Sequence, residues 1–332
     1  MTILILGAAG MVGRKLTEKL INDGDLLGPD QQLILHDIIL PQTPSTHKNT
    51  LCLAGDLASA ETATQLAEYH PDIIFHLASV VSGEAELDFA KGWSVNMHGS
   101  WHLCEALRAC HEARGGSYRA KIIFASSIAV FGPPFPDVEN EAIYDDFLTA
   151  PQTSYGAQKA MVETMIADYA RKGFIDGLSI RLPTICVRPG KPNAAASSFF
   201  SGIIREPLNG EDAVLPVSDD VRHWHASPRS AAGFLVHAAN LDTNLLGGRR
   251  SLTMPGLSCT VAEQIEALRD IAGEAVIARI KPVPDERIMH IVRGWPRAFH
   301  PEKALSLGFS AETNFRQIIE IYLQDDKPNL SA

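Results

Sequence analysis

The chain has 332 residues, of which 45% are hydrophobic and 20% charged, and its formal net charge is -10. This length and apolar content exclude wholesale disorder and suit one large domain or two smaller ones. The negative charge argues against nucleic acid or an anionic membrane as a partner, but it leaves room for a small anionic substrate bound by a local arginine.

The cysteines and the N-terminus indicate a compartment. The five cysteines are scattered and include no C-x-x-C pair, which favours a reducing environment over disulfide-bonded secretion. The first residues are apolar without a basic segment before them, and no stretch approaches the roughly 20 apolar residues of a membrane helix. We therefore expect a cytoplasmic protein without a membrane partner.

Strands and helices are predicted to alternate along the first half of the chain, which is typical of an α/β fold, a Rossmann-type doubly wound parallel sheet. After Pro183, prolines and loops become frequent. We predict a Rossmann domain at 1–182, a smaller α+β region at 183–332 that partly returns to the sheet, and a disordered tail after Asp326. The predicted strands are 2–6, 33–35, 73–77, 121–125 and 178–182, and the predicted helices are 11–22, 93–113, 154–171, 261–272 and 312–324.

A glycine-rich turn joins the first predicted strand to the first helix. Gly7, Gly10 and Gly13 have the spacing G-x-x-G-x-x-G, with Met11 and Val12 opening the helix. Glycines allow backbone N–H groups to approach a pyrophosphate, and the helix N-terminus adds partial positive charge. Three glycines also occur in ordinary turns, but this location favours a dinucleotide site.

Two acidic residues follow the second and third predicted strands. Asp37 is placed to bind both hydroxyls of an adenosine ribose and to repel the extra phosphate of NADP, which favours NAD. Asp56 is predicted to bind the adenine amino group, and it could equally be the N-cap of the next helix. A surface aspartate is the alternative for Asp37.

Tyr155 and Lys159 stand four residues apart in one predicted helix and therefore share a face. An alcohol gives up hydride only as its proton leaves, and a phenol with a pKa near 10 is a poor proton acceptor at neutral pH. A nearby ammonium and a nicotinamide ring could lower that pKa by roughly three units, or about 4 kcal/mol. The pair predicts Tyr155 as general base and Lys159 as its cation. An exposed polar helix face is the alternative.

Two serines follow the strand predicted at 121–125. Ser126 and Ser127 would lie at the carboxyl end of the sheet, where ligands bind in such folds. One of them would donate to the substrate oxygen, and Ser127 is the first choice, with Ser126 in reserve. A turn serine that caps a backbone group is the alternative for both.

Together these residues resemble the extended short-chain dehydrogenases, the NAD-dependent epimerase/dehydratase family. The matching segments between residues 7 and 159 are 7–13, 37, 56, 76–79, 95–96, 126–132 and 155–159. The resemblance implies NAD as cofactor and a homodimer formed through the helices at 93–113 and 154–171. The residues it places on the cofactor are Gly7, Gly10, Met11, Val12, Gly13, Asp37, Asp56, Leu57, Leu77, Ala78, Ser79, Asn96, Tyr155, Lys159 and Pro183.

The segment 181–193 narrows the resemblance. Nucleotide-sugar epimerases usually carry an aromatic residue and asparagine here, followed by Tyr-Gly-Pro, and this chain does not. With the serines and phenylalanines at 197–200, it resembles the D-erythronate dehydrogenases. Those enzymes oxidise the second-carbon hydroxyl of a four-carbon sugar acid with NAD, so the resemblance implies a small sugar acid as substrate and a 2-oxo acid as product.

A sugar acid needs a cation for its carboxylate, and guanidinium groups bind carboxylates bidentately. The candidates are Arg188, Arg222 and Arg229, of which the first two are preferred from the resemblance. Each could instead form an ordinary salt bridge. Asn193 and Ser197 are predicted to hold sugar hydroxyls.

Other interpretations stay open at this point. A nucleotide-sugar epimerase or dehydratase, or a uronate dehydrogenase, would use the same fold. A regulator that senses NAD would keep the fold without the chemistry, but such proteins usually lack the pair Tyr155 and Lys159. His223 and His225 have the H-x-H spacing of some metal sites, although a polar pocket is preferred and no metal is predicted.

Overall fold

The computed structural model describes residues 1–136, 142–190 and 195–327, which fold into two compact units. The predicted tail lies outside the described residues except for Lys327. No helix in the described ranges is long and apolar enough to cross a membrane. The first unit comprises Met1–Val130, Thr153–Arg181 and Ala232–Leu252, and the second comprises Phe131–Gln152, Leu182–Ala231 and Thr253–Ala332.

The strands of the described residues are short and mostly buried. In chain order they are β1 (Thr2–Leu6), β2 (Gln32–Asp37), β3 (Thr50–Ala54), β4 (Ile73–His76), β5 (Lys121–Ser127), β6 (Ala142–Tyr144), β7 (Asp176–Leu182), β8 (Thr184–Ile185), β9 (Ala213–Leu215), β10 (Arg222–Ala226), β11 (Ser251–Thr253), β12 (Leu257–Thr260), β13 (Ile280–Pro282) and β14 (Ala298–His300).

The helices alternate with these strands in the first half of the chain. In chain order they are α1 (Met11–Asp23), α2 (Ala60–Glu68), α3 (Ser82–Leu87), α4 (Phe89–Gly92), α5 (Gly99–Ala113), α6 (Ser154–Arg171), α7 (Ser198–Leu208), α8 (Pro228–Asn240), α9 (Val261–Ala272), α10 (Glu274–Ile277), α11 (Glu286–Arg293), α12 (Glu302–Ser306) and α13 (Phe315–Asp326). A π-helical turn at Trp93–His98 precedes α5, and 3-10 turns lie at Ile128–Val130 and Thr243–Leu246.

The first unit is built on a seven-stranded sheet in the order β11-β7-β5-β4-β1-β2-β3. The chain begins at β1, adds β2 and β3 on one side, and then crosses to β4 on the other. The pairs from β5 to β3 are parallel. The reversal between β1 and β4 is the switch point beside which doubly wound sheets bind their ligands. The predicted Rossmann-type fold is confirmed.

The buried face of α6 carries both apolar and polar residues. Met161, Met165 and Tyr169 recur at four-residue spacing, but they are only half-buried. The buried face lies beside them and includes Lys159 and Glu163. It also includes the apolar residues Val162, Ile166 and Ala170, so polar residues with buried partners share the core face with an apolar stripe.

Two helix boundaries also differ for local reasons. The helix predicted at 312–324 is Phe315–Asp326, because the side chain of Asn314 accepts from the backbone N–H of Gln317 and caps the helix there. The helix predicted at 93–113 begins with the π-helical turn, which places Asn96 in a widened stretch of backbone.

The second unit combines three small sheets with α7 and α9 to α13. The sheet orders are β12-β10-β8, β13-β9 and β14-β6. Its core joins aromatic and aliphatic side chains of α7, α9 and α13, among them Phe200, Phe315 and Ile318, each at most 4% exposed.

The two histidines of β10 belong to this core. His223 Nε2 lies 2.7 Å from Thr184 Oγ1 and Nδ1 lies 3.1 Å from the carbonyl of Pro296, while the ring stacks on Phe200. His225 Nε2 lies 3.1 Å from the amide nitrogen of Gln264. Among the described residues, no group of three His, Cys, Asp or Glu could hold a metal ion. Both histidine rings have polar or aromatic partners within the core of the second unit.

This burial predicts acid sensitivity. Burial lowers the pKa of His223 to about 4 from its ordinary 6.5, so the unfolded chain binds a proton that the folded chain does not. This contribution to stability is complete above pH 6.5 and is lost as the pH falls toward 4, at a cost of about 2 kcal/mol near pH 5. The midpoint of thermal unfolding of the parent should fall as the pH is lowered from 7 to 5. The midpoint of His223→Gln should fall less over the same range. The exposed His290→Gln serves as control, and an equal slope in all three proteins would contradict the prediction.

Candidate active site

The glycine turn after β1 is packed so closely that larger residues would not fit. Gly7 has a φ of +86°, and a Cβ there would lie 2.7 Å from the backbone nitrogen of Ala78. A Cβ on Gly13 would lie 2.3 Å from the carbonyl oxygen of Gly7. The backbone N–H groups of Gly7 and Ala8 both donate to the carbonyl of His36, at 2.9 and 3.1 Å, which anchors the turn to β2.

The helix that follows begins without a side-chain cap. Gly10 is the N-cap residue of α1, it makes no capping hydrogen bond, and the first turn contains no acidic residue. Such a start leaves N–H groups of Met11, Val12 and Gly13 without helical acceptors and keeps the positive end of the helix dipole. An uncapped helix N-terminus behind a glycine cradle fits the pyrophosphate of a dinucleotide.

Asp37 ends β2 beside this turn. Its Oδ2 accepts from the backbone N–H of Ala9 at 2.9 Å, and its Oδ1 accepts from that of Ile38 at 2.7 Å. Each carboxylate oxygen can accept a further hydrogen bond, so the oriented group can still bind a ribose diol. The observed geometry is compatible with the predicted preference for NAD.

Asp56 does not cap the following helix. Its Oδ1 accepts from the backbone N–H of Ala58 at 2.9 Å, while Ser59 is the N-cap of α2. The helix-cap alternative is therefore wrong, and the adenine role stays a prediction. Leu57, predicted on the cofactor, is 4% exposed and packs in the core of the first unit.

Asn96 binds the loop that follows β4. Its Oδ1 accepts from Val80 N–H and from Ser79 Oγ, both at 2.9 Å. Its Nδ2 donates to the carbonyl of Val80 at 3.2 Å and to Gln158 Oε1 at 2.8 Å. These bonds use all four of its hydrogen-bonding sites. Asn96 thus fixes the loop after β4, which includes Leu77 and Ala78, and its contact with a cofactor stays a prediction.

Lys159 is buried beneath the end of β5. It is 2% exposed. Its Nζ donates to the carbonyl of Ala125 at 2.8 Å and lies 4.6 Å from the ring centre of Phe124 and 5.5 Å from that of Tyr155. Burial lowers the pKa of Lys159 to about 7, and Glu163 opposes this change. An ammonium that is poorly solvated acts strongly on a neighbouring phenol.

The two serines of β5 point to different partners. Ser126 is 2% exposed and donates its hydroxyl proton to Glu163. Ser127 is half-buried, and its Oγ accepts from the backbone N–H of Ala129 at 3.1 Å. The hydroxyl proton of Ser127 is not used in that bond. Ser127 therefore suits a substrate oxygen better, whereas Ser126 serves the interior.

The substrate residues predicted from the resemblance belong to the second unit. Arg188 Nη2 donates to Ser197 Oγ at 3.1 Å, and Nε donates to the carbonyl of Ile185 at 3.0 Å. Asn193 lies outside the described residues. Two of the predicted residues, a guanidinium and a hydroxyl, are thus brought together. Pro183 is buried between β7 and β8.

The other two arginine candidates are paired with acids. Arg222 lies 3.4 Å from Glu263 and donates to the carbonyl of Ser258 at 3.1 Å. Arg229 binds Asp325 at 2.5 Å on the surface. Both show the ordinary salt bridges that the sequence left open as their alternative.

Sequence reasoning missed two charged residues of the site. Glu163 and Arg181 form a buried ion pair of 2.7 Å next to Lys159 and Ser126. The signal was present, because Tyr155, Lys159 and Glu163 recur at four-residue spacing and Arg181 interrupts the apolar strand β7. A charge in an apolar strand calls for a buried partner.

The fold and this site define a nucleotide-binding oxidoreductase with a tyrosine–lysine pair. The model of the NAD dependent epimerase/dehydratase family matches residues 3–243, and the chain belongs to this family. It is 43% identical over 330 residues to a D-erythronate dehydrogenase of Cupriavidus necator, and 98% of each chain is covered. A D-erythronate dehydrogenase of Haemophilus influenzae is 39% identical over 98% of this chain and 100% of its own length.

A solved crystal structure is similar to this chain over nearly the whole length of both. The crystal structure described as a nucleoside-diphosphate-sugar epimerase from Agrobacterium tumefaciens has 52% identity and a TM-score of 0.93, over 98% of this chain and 94% of that one. Together with the family match, these relatives confirm the predicted family, the enzyme class of NAD-dependent dehydrogenases and the cofactor NAD.

Replacement of Asp37 should test the cofactor site. Asp37→Ala removes the oriented acceptor for the ribose hydroxyls, so NAD binding should weaken about tenfold, the equivalent of one or two hydrogen bonds. It also removes a negative charge, so NADP should bind better relative to NAD than in the parent protein. Titration of both cofactors measures the two effects. Unchanged NAD affinity would show that Asp37 only anchors the turn.

Proposed function

We propose that this protein oxidises the second-carbon hydroxyl of a small sugar acid with NAD, and that its substrate is D-erythronate, which yields the 2-oxo acid. The observation that carries the reaction type is the buried Lys159 beside Tyr155 and the end of β5. The substrate class is supported by two relatives named D-erythronate dehydrogenase that align over almost the whole chain.

In the proposed mechanism Tyr155 takes the proton of the substrate hydroxyl. NAD, when bound, supplies the acceptor for the hydride. Lys159 stabilises the phenolate through its charge, and Ser127 donates its free hydroxyl proton to the reacting oxygen. The uncapped N-terminus of α1 holds the pyrophosphate and Asp37 holds the adenosine ribose.

The carboxylate of the substrate is assigned to Arg188. A guanidinium beside the hydroxyl of Ser197 offers one group for a carboxylate and one for a sugar hydroxyl, which is what a hydroxy acid requires. Arg222, which lies 3.4 Å from Glu263, is the second choice.

A panel of sugar acids tests the proposal. Purified protein should reduce NAD with D-erythronate and should do so faster than with L-erythronate, other four- to six-carbon aldonates, uronates or free sugars. Formation of a 2-oxo acid is measured beside NADH absorbance. Reduction with a uronate or a free sugar but not with D-erythronate would overturn the substrate assignment.

Nucleotide-sugar epimerisation is the second candidate, and the description of the similar structure from Agrobacterium tumefaciens favours it. Against it stands the segment after Arg181, which lacks the aromatic–asparagine signature of those enzymes. An epimerase regenerates its cofactor in each cycle. Conversion of a nucleotide sugar without net NADH would therefore support this candidate, whereas net NADH from a sugar acid supports the first.

The proton chemistry predicts separable effects of two variants. Tyr155→Phe should bind NAD normally and lose at least about 100-fold in kcat, since general bases contribute on that order. Lys159→Met should lower both NAD affinity and kcat. NAD titration and steady-state rates check both variants. A Tyr155→Phe enzyme with most of its rate would place the base elsewhere.

The assignment of the substrate carboxylate to Arg188 predicts that its replacement raises the KM for the sugar acid. Arg188→Gln should raise the KM for the sugar acid about tenfold or more, with little change in NAD affinity, because a charged hydrogen bond to the carboxylate is lost. Arg229→Gln, in the surface pair with Asp325, is the matched control and should keep the parent KM. Equal KM values in both variants would remove Arg188 from the substrate site.

A further inference from the structure

Helix α6 carries a third polar side chain on the face of Tyr155 and Lys159. Glu163 follows Lys159 by one helical turn and is only 4% exposed. Its Oε2 accepts from Nε and Nη2 of Arg181 at 3.1 and 2.7 Å, and its Oε1 accepts from Nε at 3.0 Å and from the hydroxyl of Ser126. A buried carboxylate with these donors is held in one position, because each lost bond would leave charge unsatisfied in the core.

These contacts fix the strand end that the proton chemistry uses. Ser126 directly precedes Ser127, the proposed donor to the substrate oxygen. The residue before it, Ala125, supplies the carbonyl that accepts Lys159 Nζ at 2.8 Å. Arg181, on the neighbouring strand β7, holds the carboxylate of Glu163. Glu163 therefore clamps the backbone on which both the serine and the lysine depend.

The same carboxylate favours the charged form of Lys159. Burial lowers the pKa of Lys159 to about 7, and Glu163 raises it. The other groups around the lysine are Tyr155 on the same helix, His76 on β4 and Arg181 on β7 behind Glu163. Burial and the lysine charge lower the pKa of His76 to about 3, so His76 is neutral at working pH.

We propose that Glu163 is a positioning residue for proton transfer, which keeps Lys159 charged and holds the end of β5 so that Ser127 meets the substrate. This inference rests on the proposed function, since it requires Tyr155 and Lys159 to be the reacting pair. An ion pair with only a structural role would support the fold and leave the chemistry of the folded enzyme unchanged.

Two substitutions separate charge from position. Glu163→Gln keeps the length and removes the charge, while Glu163→Asp keeps the charge and shortens the reach. Both should lower kcat about 10- to 100-fold, as misplaced catalytic groups do, with NAD affinity close to that of the parent. Tyr155 and Lys159 together can bind two protons, one on the phenol and one on the amine. Loss of the negative charge of Glu163 weakens the binding of the second proton and favours the form with neutral lysine. The acidic limb of the kcat–pH profile should therefore move to lower pH in Glu163→Gln and stay in place in Glu163→Asp.

Asp176 provides a matched control on the same strand as Arg181. It lies at the opposite end of β7, where its Oδ1 binds Arg250 Nη1 at 2.8 Å and the hydroxyl of Thr243 at 2.6 Å. Asp176→Asn thus also removes a charge that binds one guanidinium and one hydroxyl. It should lower the unfolding temperature and leave kcat and its pH profile unchanged. An equal loss of kcat in Asp176→Asn and Glu163→Gln would overturn the inference.

A readout without turnover completes the test. NMR of NAD-free protein labelled with ¹⁵N at lysine follows the Nζ signal of Lys159, which is assigned by its loss in Lys159→Met. This signal should titrate at lower pH in Glu163→Gln than in the parent. If Glu163→Gln does not fold, Ser126→Ala keeps the ion pair and releases only the strand end. It should then lower kcat with an unshifted acidic limb, and an unchanged kcat would overturn the clamp.

The outcomes distinguish the two proposals. Failure of the parent protein to reduce NAD with any sugar acid would refute the proposed function, and full activity of Tyr155→Phe would refute the role of Tyr155 as the base. A different result would refute only the role of Glu163. In that case Tyr155→Phe loses activity, whereas Glu163→Gln keeps the kcat, the pH profile and the lysine titration of the parent.

Discussion

A cation buried beneath the end of β5 is the constraint on which the site of the first unit depends. Removing an ammonium from water is costly, and Lys159 is compensated by the carbonyl of Ala125, the ring of Phe124 and the carboxylate of Glu163. The burial that makes the charge costly also makes it effective, since a phenolate forms more readily beside a poorly screened cation. The ends of β5 and β7 and the inner face of α6 are arranged to hold that one charge.

This arrangement explains how much of α6 could be predicted from the sequence. The bounds of the helix, Ser154–Arg171, follow from local signals such as the side-chain cap of Thr153. The core face carries the apolar residues Val162, Ile166 and Ala170, as an amphipathic pattern predicts. Lys159 and Glu163 share this face, and their partners lie on other strands, so these partners could not be predicted from the helix alone.

Backbone features were more predictable than side-chain partners. The spacing of Gly7, Gly10 and Gly13 predicts a tight turn, and a Cβ on Gly7 or Gly13 would clash with the backbone, so the glycine turn could be placed from the sequence. Asn96 could be recognised as unusual within a helix, but its partners could not be predicted. The amide binds the loop after β4 and Gln158, since the π-helical turn presents it to both, and that turn has no signature in the residues themselves.

The three arginines show the same limit in the second unit. Arg188, Arg222 and Arg229 carry the same group in loop, strand and helix, and composition alone does not rank them for a carboxylate. Their observed partners differ: Glu263 binds Arg222, Asp325 binds Arg229, and Arg188 donates to the hydroxyl of Ser197. A hydroxy acid has a carboxylate and hydroxyl groups close together. A guanidinium next to a serine hydroxyl therefore indicates such a ligand more specifically than an arginine does alone.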